Sequence, residues 1–282
     1  MNIEHADSAP VKCVEVLLGK RTLVMGILNV TPDSFYDGGR LVDPGVARAH
    51  AQKLIEDGAD ILDLGGESTR PGAKPLNVNE EQARVLPVLE RIVPLGVPVS
   101  VDTYHAGTAR RALEMGAGIV NDISALRGDP GMVEVMAKAN KPYVLMHMRG
   151  NPRNMQDDIH YDDVVSDICR FFEERIEFAV AHGMAESAIW LDPGFGFGKL
   201  LEHNLTMLRR LEEFKQFGRP LLVGTSNKGM IGSVLGLPVE DRLEGTAATV
   251  AVAIMNGADI VRVHDVRAMA RVATMTDAIR RA

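Results

Sequence analysis

Short apolar runs alternate along the chain with longer stretches in which apolar residues recur every three or four positions. Runs that are apolar at nearly every position are typical of parallel strands covered on both faces, and the longer period indicates amphipathic helices. The predicted strands are TLVMGIL (22–28), DILDLG (60–65), PVSVD (98–102), GIVND (118–122), PYVLMH (142–147), AIWLD (188–192), PLLVG (220–224) and DIVRVH (259–264). The predicted helices include residues 46–58, 80–92, 108–116, 162–183 and 266–282.

The number of strand–helix units distinguishes two α/β architectures. Eight units fit a closed (β/α)8 barrel, whereas an open doubly wound sheet of the dinucleotide-binding type carries GxGxxG after its first strand. No such motif follows residues 22–28. We therefore expect a single-domain (β/α)8 TIM barrel over residues 21–282, preceded by a short N-terminal arm or hairpin over residues 1–20. Glycines at 58, 116 and 183 are expected to follow helix ends.

The net charge and the composition limit the classes of partner that the protein is expected to bind. The 31 Lys+Arg residues and 38 Asp+Glu residues give a net charge of −7, which argues against broad binding to nucleic acid or to an anionic membrane. We find no apolar run of about 18 residues and no apolar signal-like segment at the N-terminus. The two cysteines, Cys13 and Cys169, cannot form a disulfide framework. We therefore expect a cytoplasmic protein with small-molecule substrates.

Polar residues cluster where the predicted strands end, which is where a barrel of this type carries its chemistry. Any one of them could instead cap the following helix, but eight consecutive strands each end in such a group, the second of them in the segment GGESTRPG (65–72). The series predicts one site at one rim of the barrel. Its members are Asn29, Asp102, Asn121, Asp122, His147, Asp192, Ser226, Lys228, Arg262 and His264.

The types of residue suggest two halves of that site. Arg262 and His264 are two apart on a strand and share a face, so they form an anion site in the place where barrels commonly bind phosphate. The alternative for Arg262 is a buried ion pair with an acid. Asp102 and Asp192 suit a planar ligand with a donor edge because ionised carboxylates only accept hydrogen bonds, whereas Asn121 can both donate and accept.

The remaining candidate motifs do not match the sequence patterns of nucleotide-binding loops or of zinc sites. The segment DPGFGFGK (192–199) does not match GxxxxGK[ST], and it is better interpreted as a glycine-rich turn that presents Phe197. The eight histidines contain no HExxH and no zinc-like spacing. Met146 is expected to line a pocket or the core.

Seven segments in the same order resemble the dihydropteroate synthases, pterin-binding enzymes of folate biosynthesis that are the targets of sulfonamides. They are GILNVTPDSFYDGG (26–39), GGESTRPGA (65–73), SVDT (100–103), NDI (121–123), LMHMRGNPRNMQ (145–156), LDPGFGFGK (191–199) and IVRVHDV (260–266). The resemblance implies a transferase that condenses 4-aminobenzoate with 6-hydroxymethyl-7,8-dihydropterin diphosphate, with Mg²⁺ as cofactor. It also implies a homodimer.

The resemblance also implies roles for individual residues. The catalytic residues would be Asp102, Asp192, Lys228 and Arg262. The pterin would contact Asp102, Asn121, Met146, Asp192, Phe197, Gly224 and Lys228. The diphosphate would be held by Asn29, Thr69, Arg70, Arg262 and His264, with Asn29 also ligating Mg²⁺. The aminobenzoate would lie against Pro71, Phe197, Ser226 and Lys228.

One position departs from the family pattern, and two alternative functions stay open. The usual triplet Ser-Arg-Lys is here Ser226-Asn227-Lys228, so a cation expected beside the aminobenzoate is missing. One alternative is a methyltetrahydrofolate-type methyltransferase domain, which would not need the STRPG loop or the pair Arg262 and His264. The other is a non-catalytic pterin-binding paralogue, which Asn227 makes possible.

Overall fold

Eight parallel strands surround a common axis in the computed structural model, which describes residues 17–31, 43–68 and 75–282. Consecutive strands pair from β1 to β6, and β8 pairs with both β1 and β7. A parallel bridge between Leu191 and Leu221 joins β6 to β7 and closes the ring. The predicted (β/α)8 barrel is therefore confirmed. The strands are β1 Leu23–Asn29, β2 Ile61–Gly65, β3 Val99–Asp102, β4 Ile119–Asp122, β5 Tyr143–Met146, β6 Ile189–Asp192, β7 Leu222–Val223 and β8 Ile260–Val263.

Helices cover the outside of the barrel. Their ends follow local sequence signals: Asn77 and Glu80 form a reciprocal capping box at the start of α2, and Gly58, with φ of 108°, follows the end of α1 in the left-handed region. None of the described helices is long and apolar enough to cross a membrane. The helices are α1 Pro44–Glu56, α2 Val78–Ile92, α3 Ala106–Glu114, α4 Met132–Ala139, α5 Val164–Ala181, α6 Leu201–Arg209, α7 Gly229–Leu235, α8 Leu243–Met255 and α9 Val266–Arg281.

The interior of the barrel is filled by apolar side chains over one layer and by polar side chains over the next. Successive strand residues face opposite sides, so residues two apart share the interior. The apolar layer is a packed plug on which the polar layer rests, and it contains Leu23, Met25, Ile61, Ile119, Val144, Trp190, Leu222 and Ile260. Two positions further along the strands, the inward residues include Asp63, Asn121, Met146, Asp192, Gly224 and Arg262.

The amino-terminal end of the described chain packs against this plug. Leu17 and Leu18 are partly buried against it. Residues 1–16 lie outside the described residues, so the predicted arm over residues 1–20 stays a prediction.

Candidate active site

Arg262 lies at the centre of the polar layer and joins two acids from neighbouring strands. Its Nε is 2.6 Å from Asp63 Oδ2 and its Nη2 is 2.9 Å from Asp102 Oδ2. The guanidinium therefore takes part in the buried ion pair that was the alternative to an anion site. Nη1 makes no hydrogen bond within the part of the chain that the structure describes, so one edge of the fork is available to an incoming anion.

Asp63 is a site residue that sequence reasoning missed. Its side chain is fully buried, and besides Arg262 it accepts a 3.2 Å hydrogen bond from Nδ2 of Asn121. It lies two residues before the end of β2, so a pattern of polar residues at strand ends does not include it. The available signal was an acid between Leu62 and Leu64 in a strand with no other charge.

Asp102 and Asp192 are carboxylates whose environment opposes ionisation. Burial raises the pKa of Asp102 to about 7, an effect that nearby Asp63 strengthens and Arg262 opposes. Burial also raises the pKa of Asp192, against the pull of Lys228 and of the 2.8 Å hydrogen bond from the Gly194 amide. Both groups therefore gain from a ligand that donates hydrogen bonds to them.

Lys228 reaches into the same cup from the loop after β7. Its ammonium donates to the carbonyl of Phe195 and lies 4.8 Å from the centre of the Phe197 ring. Burial lowers the pKa of Lys228 to about 8, and Arg262 adds to that effect while Asp192 opposes it. A Cβ placed on Gly224 would lie 3.9 Å from Nζ of Lys228, so this glycine belongs to the same wall.

An apolar wall closes one side of the cup. Met146 and Phe197 pack together with Ile123, Met148 and Met155 in a cluster separate from the main core. The structure thus brings together Met146, Phe197 and Lys228, to which the resemblance assigns contacts with the pterin. A flat ring that donates from its edge and stacks on its face matches these surroundings.

The loop after β6 is held in place from behind by Lys199. Its Nζ lies 2.9 Å from Nδ1 of His147 and donates to the carbonyls of Gly194 (2.9 Å) and Phe197 (3.0 Å). Gly194 has φ of 69°, and a Cβ there would lie 2.0 Å from the His147 carbonyl oxygen, so only glycine fits. His147 was expected at the rim of the site, but it is buried as a partner of Lys199.

Two predicted subsites are joined by a direct contact. Ser226 Oγ lies 2.9 Å from Nδ1 of His264 and accepts a 3.2 Å hydrogen bond from the His264 amide. Sequence reasoning put Ser226 with the aminobenzoate and His264 with the diphosphate, without seeing this contact. Thr69, Arg70 and Pro71 lie outside the described residues.

Asn29 is the one predicted metal ligand. A Cβ on Gly65 would lie 3.4 Å from Asn29 Oδ1 and 3.5 Å from Asp102 Cβ, so Asn29 borders the cup. No group of three or more His, Cys, Asp or Glu side chains in the described ranges is arranged to hold a metal. A single neutral oxygen fits Mg²⁺ that keeps water and phosphate oxygens as its other ligands.

Asn227 takes a conformation that suits asparagine. Its φ is 57°, in the left-handed region that few residues other than glycine and asparagine enter readily. Its Oδ1 accepts a 3.2 Å hydrogen bond from Thr246 Oγ1, and its backbone amide donates to the same hydroxyl. The side chain therefore bonds to α8.

The sequence model of the family of pterin-binding enzymes matches residues 25–264 of the chain. The chain belongs to this family. Within it, the chain is 50% identical to the dihydropteroate synthase of Bacillus subtilis (strain 168) over 261 residues, which cover 92% of the chain and 89% of the relative. These matches confirm the family expected from the seven motifs.

Solved structures of pterin-binding enzymes share the fold over nearly the whole chain. The Yersinia pestis dihydropteroate synthase, solved with a sulfonamide drug, has a TM-score of 0.89 at 46% identity and covers 93% of this chain and 96% of its own. The Xanthomonas albilineans enzyme, in complex with 7,8-dihydropteroate, has a TM-score of 0.84 at 42% identity, with coverages of 93% and 95%. These likenesses confirm the synthase function and favour it over the methyltransferase and over the non-catalytic paralogue.

Proposed function

We propose that the cup catalyses the condensation of 6-hydroxymethyl-7,8-dihydropterin diphosphate with 4-aminobenzoate to give 7,8-dihydropteroate and diphosphate. The observation that carries this proposal is the layer of hydrogen-bond acceptors beside Arg262, in which Asp192 is buried and Asp102 is half-buried. Asp102 and Asp192 accept from the donor edge of a pterin, and the apolar wall of Met146 and Phe197 packs on its face.

The reaction separates charge, and the two halves of the site suit the two charges. When the bond between the pterin methylene carbon and the diphosphate oxygen breaks, positive charge develops on the pterin and negative charge on the leaving group. Asp102 and Asp192 stabilise the pterin cation, and the arginine Nη1 that no acid occupies lies ready for the diphosphate with His264. The amine of aminobenzoate then attacks the methylene, so no protein nucleophile is required.

We also propose that Mg²⁺ is bound together with the diphosphate. Asn29 would supply an oxygen ligand, and the ion would neutralise phosphate charge when bound. The resemblance to the family also assigns Thr69 and Arg70, which lie outside the described residues, to the diphosphate.

We place the aminobenzoate against Ser226, Phe197 and Lys228, and the resemblance adds Pro71, which lies outside the described residues. Phe197 and Lys228 are also pterin contacts, so the two substrates meet at this pair. The hydrogen bond between Ser226 and His264 extends the same wall to the diphosphate.

The activity is tested by following diphosphate release from the pterin substrate with Mg²⁺, in the presence and absence of 4-aminobenzoate, with dihydropteroate detected chromatographically. We expect both products to form together. Pterin binding without turnover would identify a non-catalytic paralogue, and methyl transfer from methyltetrahydrofolate would identify the methyltransferase. Growth of a strain that lacks its own synthase is the complementary test.

The proposal extends to a cytoplasmic homodimer. Exposed apolar side chains lie on α6, α7, α8 and α9, which are neighbours on one side of the barrel: Leu201, Leu205, Val234, Leu235, Val252, Met255, Met275 and Ile279. Burying such a patch against a second copy removes it from water. Light scattering should give twice the monomer mass of 30.6 kDa, and Val252→Glu should shift it towards the monomer; a monomeric wild-type protein contradicts this part.

A further inference from the structure

We infer that Asp63 is a positioning residue that determines which atom of Asn121 faces the pterin. The inference rests on the proposed function and deepens it. Asp63 is fully buried beneath the cup, and its Oδ2 accepts hydrogen bonds from both Asn121 Nδ2 and Arg262 Nε. One carboxylate oxygen thus connects an amide and a guanidinium of the polar layer.

The orientation of Asn121 follows from the chemistry of Asp63. The Oδ2 atom of Asp63 already accepts a hydrogen bond from Arg262 Nε, and an oxygen that accepts from a guanidinium has no proton to donate, so Asn121 must turn its amino group towards it. The amide oxygen Oδ1 then faces away from Asp63. Oδ1 is buried and has no partner within the residues that the structure describes. A buried acceptor without a donor costs free energy, and a ligand that donates a hydrogen bond recovers it.

This orientation makes the cup selective for donors. Asp102, Asp192 and Asn121 Oδ1 then offer acceptors only, which match the amino and ring N–H groups of a pterin. If Asn121 were reversed, its amino group would meet those donors and oppose binding. Asn121 alone could serve either orientation, so the selectivity resides in Asp63.

Asp63 also sets the direction of Arg262. Its hydrogen bond to Nε is the shorter of the two acid contacts, 2.6 Å against 2.9 Å for Asp102 with Nη2. These contacts occupy the inner edge of the guanidinium and turn Nη1 away from the two acids. Asp63 therefore takes part in both orientations: that of the pterin-reading amide and, together with Asp102, that of the anion-binding fork.

The first test is Asp63→Asn, which keeps the size of the side chain but offers both a donor and an acceptor. Asn121 can then adopt either orientation, and we expect the Kd for 6-hydroxymethyl-7,8-dihydropterin, measured by calorimetry, to rise by about tenfold to a hundredfold. The KM for aminobenzoate should change less than about twofold, because this substrate lies above the layer that Asp63 orients. An unchanged pterin Kd in a folded Asp63→Asn protein overturns the inference.

Asp277→Asn is the matched control for loss of a buried carboxylate. Asp277 accepts hydrogen bonds from the amide and hydroxyl of Thr22, close to the start of β1 and away from the cup. We expect this variant to melt at a lower temperature with the pterin Kd of the wild type. If Asp277→Asn weakens pterin binding as much as Asp63→Asn does, the effect is one of general stability and the inference is wrong.

The second test reverses the pair. In the double variant Asp63→Asn/Asn121→Asp, the amide introduced at position 63 can donate to the new carboxylate at position 121 and accept from Arg262. The second oxygen of that carboxylate is again an acceptor for the pterin. We expect the double variant to bind pterin more tightly than either single variant, because Asn121→Asp alone places two carboxylates side by side.

Two outcomes of this comparison are decisive. A folded double variant that binds pterin no better than Asp63→Asn overturns the inference. If Asp63→Asn does not fold, a folded double variant that binds no pterin overturns it. A wild-type protein that binds no pterin would instead refute the proposed function.

Discussion

The ammonium of Lys199 lies 2.9 Å from Nδ1 of His147, in the interior behind the glycine-rich loop. Both residues are buried, with 4% and 6% of their surfaces exposed. Burial lowers the pKa of each group well below its ordinary value. Because Nδ1 faces the ammonium, it serves as the acceptor, and the proton of the neutral imidazole is on Nε2. The pair fixes the loop that carries Phe197 into the cup.

Lys199→Met is therefore expected to lower stability and weaken substrate binding together. The change leaves the carbonyls of Gly194 and Phe197 and Nδ1 of His147 without their donor, at a cost of about 2–4 kcal/mol in the free energy of unfolding. Denaturant unfolding and the pterin KM measure the two effects. Lys53→Met is the control, since the Lys53 side chain is 66% exposed and its pair with Asp57 should matter by less than about 1 kcal/mol. If the Lys199→Met protein were as stable as the wild type, the glycine-rich loop after β6 would not depend on Lys199 for its conformation.

Pterin affinity should depend on pH through Asp102. The folded protein raises the pKa of this group from 3.8 to about 7, mainly by burial. The ionised form accepts from the pterin edge, so affinity should rise as the pH increases from about 6 to about 8. The free energy of unfolding should depend on pH in the opposite direction. The ligand-free folded state binds the proton of Asp102 more tightly than the unfolded chain does, so the contribution of this group to stability is lost as the pH rises through about 7.

Calorimetric titrations with pterin between about pH 6 and about pH 8 check this dependence. Asp102→Asn should bind weakly and without the pH dependence. A wild-type Kd that stays constant over the range would mean that another group controls binding.

The barrel was predictable because its strands stay apolar at nearly every position, and because the signals for helix ends are local. The helix predicted over residues 162–183 is α5, Val164–Ala181, with Gly183 in the left-handed region beyond it. β7 is shorter than predicted: Leu222–Val223 form the strand, and the preceding Leu221 pairs with Leu191 of β6 where the ring closes. Strand length here depends on barrel closure, which no local pattern encodes.

The site was predictable only in part, because its contacts join residues far apart in the chain. Strand ends pointed to Asp102, Asn121, Asp192 and Arg262. The partner that orients two of them, Asp63, is 199 residues from Arg262 and 58 from Asn121. Which acid accepts a hydrogen bond from which donor depends on how neighbouring strands are aligned and on which residues point into the barrel. This alignment is known only from the three-dimensional structure.

Ser226→Ala should affect both predicted subsites at its end of the cup. The change removes the hydroxyl that accepts from the His264 amide and contacts its Nδ1. At about 1 kcal/mol for such a hydrogen bond, we expect the KM values for pterin diphosphate and for aminobenzoate each to rise by roughly fivefold. Steady-state kinetics with each substrate varied in turn measure both.

The neighbouring Thr225→Val is the control for Ser226→Ala. Thr225 accepts a 2.9 Å hydrogen bond from Thr249 on α8 and is buried on the helix side. Its replacement should lower stability with both KM values retained. A rise in the aminobenzoate KM alone for Ser226→Ala would mean that the contact with His264 has no role in holding diphosphate.

Asn227→Arg restores the cation that the family usually has between Ser226 and Lys228. Arginine tolerates the φ of 57° less well than asparagine does, and the hydrogen bond from Thr246 is lost, so we expect a stability loss of about 1–2 kcal/mol. A guanidinium beside the carboxylate of aminobenzoate should lower its KM by up to about fivefold, the range of a partly exposed ion pair, and leave the pterin KM unchanged.

Asn227→Gly separates the two effects, because glycine accepts the backbone conformation and loses the Thr246 contact without adding a charge. A lower aminobenzoate KM in the arginine variant only would show that the missing cation limits this substrate. Equal values in both variants would show that Asn227 serves the loop alone and that the departure from the family pattern is neutral for binding.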